Sequence, residues 1–78
     1  MDSAQYAREV GRRLRRARMN RLMSLADVEK ASGRYWTAAA VGTYERAERA
    51  IKVEDLAELA AFYHLDIRHL LPETGVAR

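Results

Sequence analysis

Apolar residues in the first twenty positions recur at spacings of three and four residues, which is the pattern of one face of an α-helix. We predict a first helix that is capped by Asp2 or Ser3 and runs to about Asn20. Its apolar stripe consists of Tyr6, Val10, Leu14 and Ala17. After a break at Asn20-Arg21, we expect Leu22 and Met23 to pack inward.

A second, shorter helix is predicted to begin at Ser24, a favourable N-cap residue. Its apolar positions are Leu25, Val28 and Ala31. The helix should end at Ser32-Gly33, because glycine tolerates the left-handed conformation that closes many helices. In the turn that follows, we expect Arg34 and Tyr35 to be exposed and Trp36 to fold back onto the core. The alternative for Trp36 is an exposed ring that stacks or inserts into a groove.

A third helix should run from Ala38 to about Ala47, capped by Thr37, with Val41 and Tyr44 facing the core. Its outward positions are nearly all small: Ala38, Ala39, Gly42, Thr43 and Arg46. An ordinary surface helix carries longer polar side chains, whereas short side chains let a helix lie close against the major groove of DNA. The alternative is an alanine-rich helix that is buried on two sides.

The last third of the chain predicts two more helices. One runs from about Val53 to Tyr63, with an acidic outer face and a core stripe. The core stripe consists of Leu56, Leu59, Ala60 and Tyr63. Asp66 can cap a final short helix, Ile67 to Leu71, which Pro72 would stop.

Residues 1–72 are therefore predicted to form one compact, all-α, five-helix domain, with a helix-turn-helix made by helices 2 and 3 and a disordered tail at 73–78. A chain of 78 residues buries only a small core, and without cysteine it has no disulfide or thiolate metal site to stabilise it. No apolar run approaches the ~20 residues that cross a membrane, and no signal-peptide pattern precedes the first helix. We expect a cytoplasmic protein with no membrane partner.

Basic residues are concentrated in the first half of the chain. Residues 1–35 carry nine Lys or Arg and four acids, whereas residues 36–78 carry five and seven. Such a one-sided distribution suits a polyanion such as DNA. The off-stripe arginines of the first helix could instead form a solvated face or, less favourably without Trp or Phe to insert, meet anionic lipid. These arginines are Arg8, Arg12, Arg15 and Arg16.

The residue pattern does not support an enzyme. His64 and His69 are the only histidines, and their spacing of five residues does not place two ligands on one helix face. The sequence contains no glycine-rich phosphate loop and no nucleophile arranged with a base. We predict no catalytic site, no metal, no cofactor and no small-molecule ligand.

The segment KASGRYWTAAAVGTYERAERAIKVEDLAELAAFYHLDIRHLLPE resembles a known family. Its helices are similar to the lambda-repressor/Cro (XRE) type of helix-turn-helix domain, and more closely to the DNA-binding domains of the actinobacterial BldD family. The matching motifs are Trp36, Val41-Gly42, Tyr44-Glu45-Arg46, Arg49-Ala50, Phe62-Tyr63 and Leu70-Leu71-Pro72. The resemblance covers about residues 6–72.

The resemblance implies a DNA interface around helices 2 and 3. Ser24 and Leu25 would open helix 2 against a phosphate. The base-facing positions of the recognition helix would be Thr37, Ala38, Ala39 and Thr43. Arg46 and Arg49 would follow that helix, where the loop meets the DNA backbone.

The resemblance also implies a structural pair and points to four departures. Glu45 would pair with Arg18 of the first helix and hold the two helices together. Relatives are often basic where this chain has Tyr35 and Thr37, and Arg34 supplies a cation nearby. The other two departures are Ala47, where glycine is common, and Lys52, where a capping serine is common.

Together these features predict a sequence-specific transcriptional regulator, or its DNA-binding domain, with the recognition helix at about Ala38–Ala47 in the major groove. The expected partner is double-stranded DNA, bound at an inverted repeat by a homodimer that forms mainly on DNA. The alternative is a protein-interaction module, such as an antitoxin, on the same fold. The acidic fourth helix and the aromatic turn would suit that alternative.

Overall fold

Four α-helices and one short 3-10 helix follow one another along residues 1–73, the part of the chain that this computed structural model describes. The α-helices are α1 (Ser3–Asn20), α2 (Leu25–Ala31), α3 (Ala38–Glu45) and α4 (Val53–Phe62), and the 3-10 helix is Ile67–His69. Residues 1–73 contain no strand, so the predicted all-α class is confirmed. Apart from Glu73, the predicted tail at 73–78 lies outside the described residues.

The predicted fifth α-helix, from Ile67 to Leu71, is wrong in type and length. Asp66 does cap the segment, because its carboxylate accepts a hydrogen bond from the Arg68 N–H at 2.9 Å. The segment is nevertheless a single 3-10 turn, in which the Leu70 N–H donates to the Ile67 carbonyl at 2.9 Å. The tighter 3-10 geometry turns Leu70 into the core within a very short stretch of chain.

Three of the four α-helices begin with a side-chain cap at a residue that the sequence indicates. Asp2 caps α1 and Ser24 caps α2, each in a capping box where the cap and the third helical residue bond reciprocally. The Thr37 hydroxyl caps α3 by accepting from the Ala40 N–H at 3.1 Å. Lys52 makes no side-chain cap bond at the start of α4. Local hydrogen bonds therefore determine where α1, α2 and α3 begin, whereas α4 depends on its packing.

All four α-helices end in a Schellman motif, in which the chain turns through a left-handed residue. At the ends of α1, α2, α3 and α4, in that order, this residue is Leu22 (φ 57°), Gly33 (φ 64°), Ala47 (φ 58°) and His64 (φ 61°). At the end of α3, the Ala47 N–H donates to the Tyr44 carbonyl at 3.1 Å and the Glu48 N–H donates to the Thr43 carbonyl at 2.9 Å. Only α2 uses glycine at this position, so three of the four ends carry a side chain where it is sterically unfavourable.

Two sequence expectations are wrong because of these left-handed ends. Leu22, expected to pack inward, is 91% exposed, because it occupies the turn that follows α1. Met23, its neighbour, is half-buried against the core, as expected. Helix α3 ends at Glu45 and does not reach Ala47, since Ala47 is the residue that reverses the chain.

Replacing Ala47 with glycine is expected to raise the free energy of unfolding by about 1 kcal/mol, because a left-handed backbone is strained for a residue with a Cβ. A urea titration followed by circular dichroism measures the change. Ala57→Gly is the matched control, since Ala57 is exposed inside α4 and the same substitution there should cost about 0.5–1 kcal/mol. Equal losses in the two variants would contradict this description of the α3 end.

The core is built from side chains of every helix. Helix α3 packs against both α1 and α2, and the 3-10 helix packs against α4. The most deeply buried side chains are Leu14, Val28, Val41, Leu59, Tyr63 and Leu70. Trp36, in the turn between α2 and α3, joins them at 7% exposure, so its predicted return to the core is confirmed. Within residues 1–73, no helix is long and apolar enough to cross a membrane.

Tyr63 is buried, and its hydroxyl makes no hydrogen bond to any of the residues 1–73. Replacing Tyr63 with phenylalanine is expected to leave the free energy of unfolding unchanged or to raise it by up to about 1 kcal/mol, because an unpaired buried hydroxyl is unfavourable. Tyr35→Phe is the comparison, since the Tyr35 hydroxyl donates to the Glu58 carboxylate at 2.9 Å. Urea titration of both variants measures the difference. A larger loss in Tyr63→Phe would show that its hydroxyl has a partner.

Tyr63 also makes the free energy of unfolding depend on pH in the alkaline range. Burial raises the pKa of Tyr63 from 10.0 to about 12, and the charge of nearby Glu45 acts in the same direction. The folded protein therefore holds this proton more tightly than the unfolded chain does. The resulting stabilisation is complete below pH 10 and is lost as the pH rises toward 12. Urea titrations across this range should show a smaller loss in Tyr63→Phe than in the wild type, and equal losses would contradict the assignment.

Candidate nucleic-acid interface

Helix α3 is joined to α1 by a buried ion pair. Arg18 donates through Nε to Glu45 Oε2 at 2.7 Å and through Nη2 to Glu45 Oε1 at 2.8 Å, which gives two parallel hydrogen bonds. The third guanidinium nitrogen, Nη1, donates to the Met23 carbonyl at 2.8 Å. The Arg18 and Glu45 side chains are only 11% and 5% exposed. Hydrogen bonding to Glu45 raises the pKa of Arg18, so the arginine stays charged.

Gly11 allows the backbones of α1 and α3 to meet. A Cβ placed on Gly11 would lie 2.4 Å from the Glu45 carbonyl oxygen and 2.7 Å from the Tyr44 carbonyl oxygen. Both atoms belong to the last turn of α3, so neither can move without moving the helix. The ion pair and this close contact together determine how α3 projects from the domain.

Hydrogen bonds across the turn determine where α3 starts. Glu29, in α2, accepts a hydrogen bond from the Ala38 N–H through Oε1 at 2.7 Å. The Trp36 N–H donates to the Ser32 hydroxyl at 3.0 Å. The N-terminal end of α3 is therefore tied to α2 by a carboxylate, in addition to the cap that Thr37 provides.

The face of α3 that carries Ala39 and Thr43 has short side chains and is partly exposed. Ala39 is exposed, and Thr43 and Arg46 follow it at four and seven residues, on the same side of the helix. Thr43 is half-buried, and its hydroxyl donates to a carbonyl of its own helix at 2.6 Å. Ala38 is half-buried and Thr37 is exposed. Gly42, expected to point outward, is instead buried, and Ala39 is the one exposed residue of α3, so the outward face of this helix is narrower than predicted.

Two exposed arginines follow α3, and each has an intramolecular contact. Arg46 donates through Nε to Glu48 Oε2 at 3.0 Å and through Nη2 to Glu48 Oε1 at 3.2 Å. The guanidinium carbon of Arg49 lies 5.9 Å from the centre of the Tyr44 ring, which is a cation–π distance. Both cations are therefore held near the C-terminal end of α3.

Arg34 and Tyr35, in the turn before α3, are exposed as predicted. Arg34 has a left-handed backbone (φ 68°), and its Nε lies 3.6 Å from Glu29 Oε2. The Tyr35 hydroxyl donates to Glu58 of α4 at 2.9 Å. This hydrogen bond raises the pKa of Tyr35, so the phenol stays protonated and keeps its donor role.

The N-terminal end of α2 is already occupied by an acid of this chain. The Ser24 N–H donates to Asp27 Oδ2 at 2.8 Å, and the Ser24 hydroxyl accepts from the Asp27 N–H at 3.0 Å. The backbone hydrogen bond from Ser24 lowers the pKa of Asp27, so an ionised carboxylate lies at this helix end. Leu25 is half-buried against the core. Both predicted phosphate contacts at the start of α2 thus also have structural roles.

This geometry agrees with what comparison with known proteins finds. A family model described as a helix-turn-helix domain matches residues 9–73. The chain belongs to this helix-turn-helix family. No curated protein matches the chain.

Two solved structures share the helix-turn-helix fold of this chain. The crystal structure of the DNA-binding domain of BldD is 45% identical, covers 91% of this chain and 100% of that chain, and has a TM-score of 0.89. The S. venezulae BldD DNA-binding domain is 46% identical, covers 87% of this chain and 99% of that chain, and has a TM-score of 0.85. The predicted resemblance to BldD is therefore confirmed.

The basic face of α1 is partly neutralised within this helix-turn-helix domain. Glu9 forms ion pairs with Arg12 and Arg13, each at 2.8 Å. Arg13 also donates to the Leu71 carbonyl at 3.1 Å, which attaches α1 to the end of the described chain. Arg12 and Arg13 of α1 therefore form contacts within the domain in addition to contributing positive charge.

The sequence pattern did not indicate the contacts that two acids make in the helix-turn-helix unit. Glu29 bonds to the start of α3, and Glu48 binds the arginine that follows it. The Glu48 contact spans two residues and is visible in the sequence only as neighbouring opposite charges. The Glu29 contact spans nine residues and crosses a turn, so no local spacing rule indicates it.

Proposed function

We propose that this domain is the DNA-binding part of a sequence-specific transcriptional regulator that places α3 in the major groove of double-stranded DNA. The observation that carries the proposal is the small, exposed face of α3, which is held at both ends by contacts with α2 and α1. A helix that presents short side chains can approach base edges closely, and alanine and threonine methyl groups can contact thymine methyl groups. The match to DNA-binding domains of BldD supports the same function.

The residues proposed to meet DNA fall into two groups. Those facing the bases are Thr37, Ala38, Ala39 and Thr43. Those at the edges of the groove are Ser24, Leu25, Arg34, Tyr35, Arg46 and Arg49. The first group offers few side-chain donors, because the Thr43 hydroxyl is already bonded inside the helix. Sequence preference should therefore depend on methyl contacts, on DNA shape and on flanking arginines.

The proposed binding unit is a two-fold pair of chains on an inverted repeat. Each copy would place one α3 in the major groove, so the half-sites would lie one helical turn apart, about 34 Å. The pair would form mainly on DNA. Such a protein would act in the cytoplasm, where the nucleoid lies.

Selection from a library of randomised duplexes, followed by gel-shift titration at fixed salt, tests the function. The wild-type domain should enrich a sequence with two related half-sites. Ala39→Glu should weaken binding to that sequence roughly 100-fold, because a carboxylate against DNA meets like charge. Ala57→Glu is the control, since Ala57 is an exposed alanine of α4 and should not face DNA. No enrichment, or equal effects of the two substitutions, would refute the proposal.

A protein-interaction module on the same fold is the second candidate. The exposed face of α4 is acidic, with Glu54 and Glu58 on its surface, and Glu58 already holds the aromatic turn through Tyr35. Capture of a protein partner that resists nuclease treatment, together with no sequence selection on duplexes, would favour this candidate.

A further inference from the structure

Arg46, Glu48 and Gly42 form a compact arrangement at the C-terminal end of α3. The Glu48 carboxylate accepts both bonds from one edge of the Arg46 guanidinium, the edge formed by Nε and Nη2. The remaining nitrogen, Nη1, lies across Gly42, where a Cβ would be only 2.8 Å from it. Glu48 therefore holds one edge of the guanidinium, and the remaining nitrogen lies against Gly42, where the helix has no side chain.

This guanidinium shares a face with the residues proposed to read bases. Arg46 follows Ala39 by seven residues and Thr43 by three, so the three side chains lie in one stripe along α3. The Arg46 side chain is 56% exposed, and the Glu48 side chain is exposed to the same extent. Arg46 thus stands on the outward surface of the helix and supplies the long donor that its short neighbours lack.

Within residues 1–73, Nη1 of Arg46 makes no hydrogen bond and Nη2 bonds only to Glu48, so the edge that these two nitrogens form still has one N–H from each for a bidentate contact. Arginine presents its N–H groups in a rigid planar fork, and that fork matches the O6 and N7 acceptors of guanine in the major groove. Glu48 orients the fork before DNA arrives, so less side-chain freedom is lost on binding. Gly42 leaves the space in which the fork lies along the helix.

We propose that Arg46 reads a guanine in the major groove, with Glu48 as the positioning residue that orients its guanidinium and Gly42 as the position that makes room for it. This inference rests on the proposed function. It assigns Arg46 to base readout, in place of the backbone contact that the family resemblance implies.

Glu48 itself distinguishes readout from simple phosphate attraction. An acid beside the DNA repels phosphates, so it lowers binding to every sequence equally. A residue that served only electrostatic attraction would gain nothing from this neighbour. The charge of Glu48 is persistent, because hydrogen bonding from Arg46 lowers the pKa of its carboxyl group. Arg49 shows the contrast, because its guanidinium lies near the Tyr44 ring and within residues 1–73 it forms no ion pair.

The test is selection from randomised duplexes with the wild type, followed by affinity measurements on the selected duplex and on single-base variants of it. Arg46→Lys keeps the charge and removes the fork, so the preference for one guanine per half-site should fall by roughly ten- to hundredfold. Binding to unrelated DNA should change little. Gly42→Ala should lose the same preference while keeping the fold, because its Cβ meets only the end of a flexible side chain.

Glu48→Gln is expected to change base preference and binding to unrelated DNA in opposite directions. The preference for the same guanine should fall, because the fork is less well oriented, whereas binding to unrelated DNA should rise, because a negative charge is gone. If Glu48 only repelled phosphate, binding to all duplexes would rise by one factor and the base preference would not change. That result would overturn the assignment of Glu48.

Matched controls are available on the 3-10 helix. Arg68 donates through Nε and Nη2 to the Asp66 carboxylate at 3.1 Å and 3.2 Å, which is the same arrangement outside the helix-turn-helix. Arg68→Lys and Asp66→Asn should leave base preference unchanged. Thermal unfolding of each variant confirms that the comparison is made on folded protein.

The outcomes separate this inference from the proposed function. A wild type that selects a sequence, combined with an Arg46→Lys variant that prefers the same bases, would overturn the readout by Arg46 and leave the function standing. A uniform loss on all duplexes in Arg46→Lys would show a backbone contact and would also overturn it. A wild type that selects no sequence would refute the proposed function, and the inference with it.

Discussion

Replacing Arg18 with methionine should lower the free energy of unfolding by about 3–5 kcal/mol, because it leaves the Glu45 carboxylate buried without its partner. The Glu45 side chain is only 5% exposed, so water cannot replace the two hydrogen bonds that it accepts from Arg18. The Met23 carbonyl would also lose its donor. Urea titration at neutral pH measures the loss, and a marginal 78-residue domain should be largely unfolded.

Two further variants make this expectation specific. Arg12→Met removes an arginine that is 65% exposed and paired with Glu9 at the surface, and should change stability by less than about 0.5 kcal/mol. The double variant Arg18→Met/Glu45→Met replaces the buried pair with apolar side chains and should recover much of the stability. A loss in Arg18→Met as small as that in Arg12→Met would show that the pair does not hold α3 to α1.

Gly11→Ala should cost about 2 kcal/mol or more, although alanine is the better helix former by about 1 kcal/mol. The added Cβ would lie 2.4 Å from the Glu45 carbonyl oxygen, which is backbone and cannot rotate away. Helix α3 would have to move off α1. Thermal unfolding measures the stability, and gel-shift titration below the transition should show weaker binding to the selected duplex, because the projection of α3 changes.

Gly42→Ala is the matched control for Gly11→Ala, since both exchange glycine for alanine inside a helix. Its Cβ would lie 2.8 Å from Nη1 of Arg46, the end of a flexible and exposed side chain. Stability should stay the same or rise by up to about 1 kcal/mol, from helix propensity alone. Similar losses in the two variants would mean that the close approach of α3 to α1 is not what Gly11 provides.

Much of the fold could be predicted because its signals are local. Ser24 and Thr37 begin their helices with hydrogen bonds to residues three positions on, so the residue types suffice to indicate both starts. The three- and four-residue spacing of Val10, Leu14 and Ala17 likewise indicates the buried side of α1. The family resemblance added the buried pair of Arg18 and Glu45, whose separation of 27 residues no spacing rule could indicate.

The candidate site was less predictable, because its residues are brought together from segments that are not adjacent in the sequence. Glu29 reaches the start of α3 across the turn. Arg46 and Glu48 are visible as opposite charges, but only the folded chain shows that the arginine lies across Gly42 with one edge occupied. The sequence therefore indicated that arginines flank α3, and the structure shows that Arg46 is bonded to Glu48 through Nε and Nη2.

The chain by itself determined where α1, α2 and α3 begin and which side of α1 is buried, because caps and periodicity act over a few residues. The tertiary structure alone decided that Leu22 lies in solvent, that the last hydrophobic segment is a 3-10 turn, and that Gly11 meets the backbone of α3. These outcomes depend on where whole helices come to rest. Helix packing is determined by contacts between residues that are far apart in the sequence, so no local pattern of residues can indicate it.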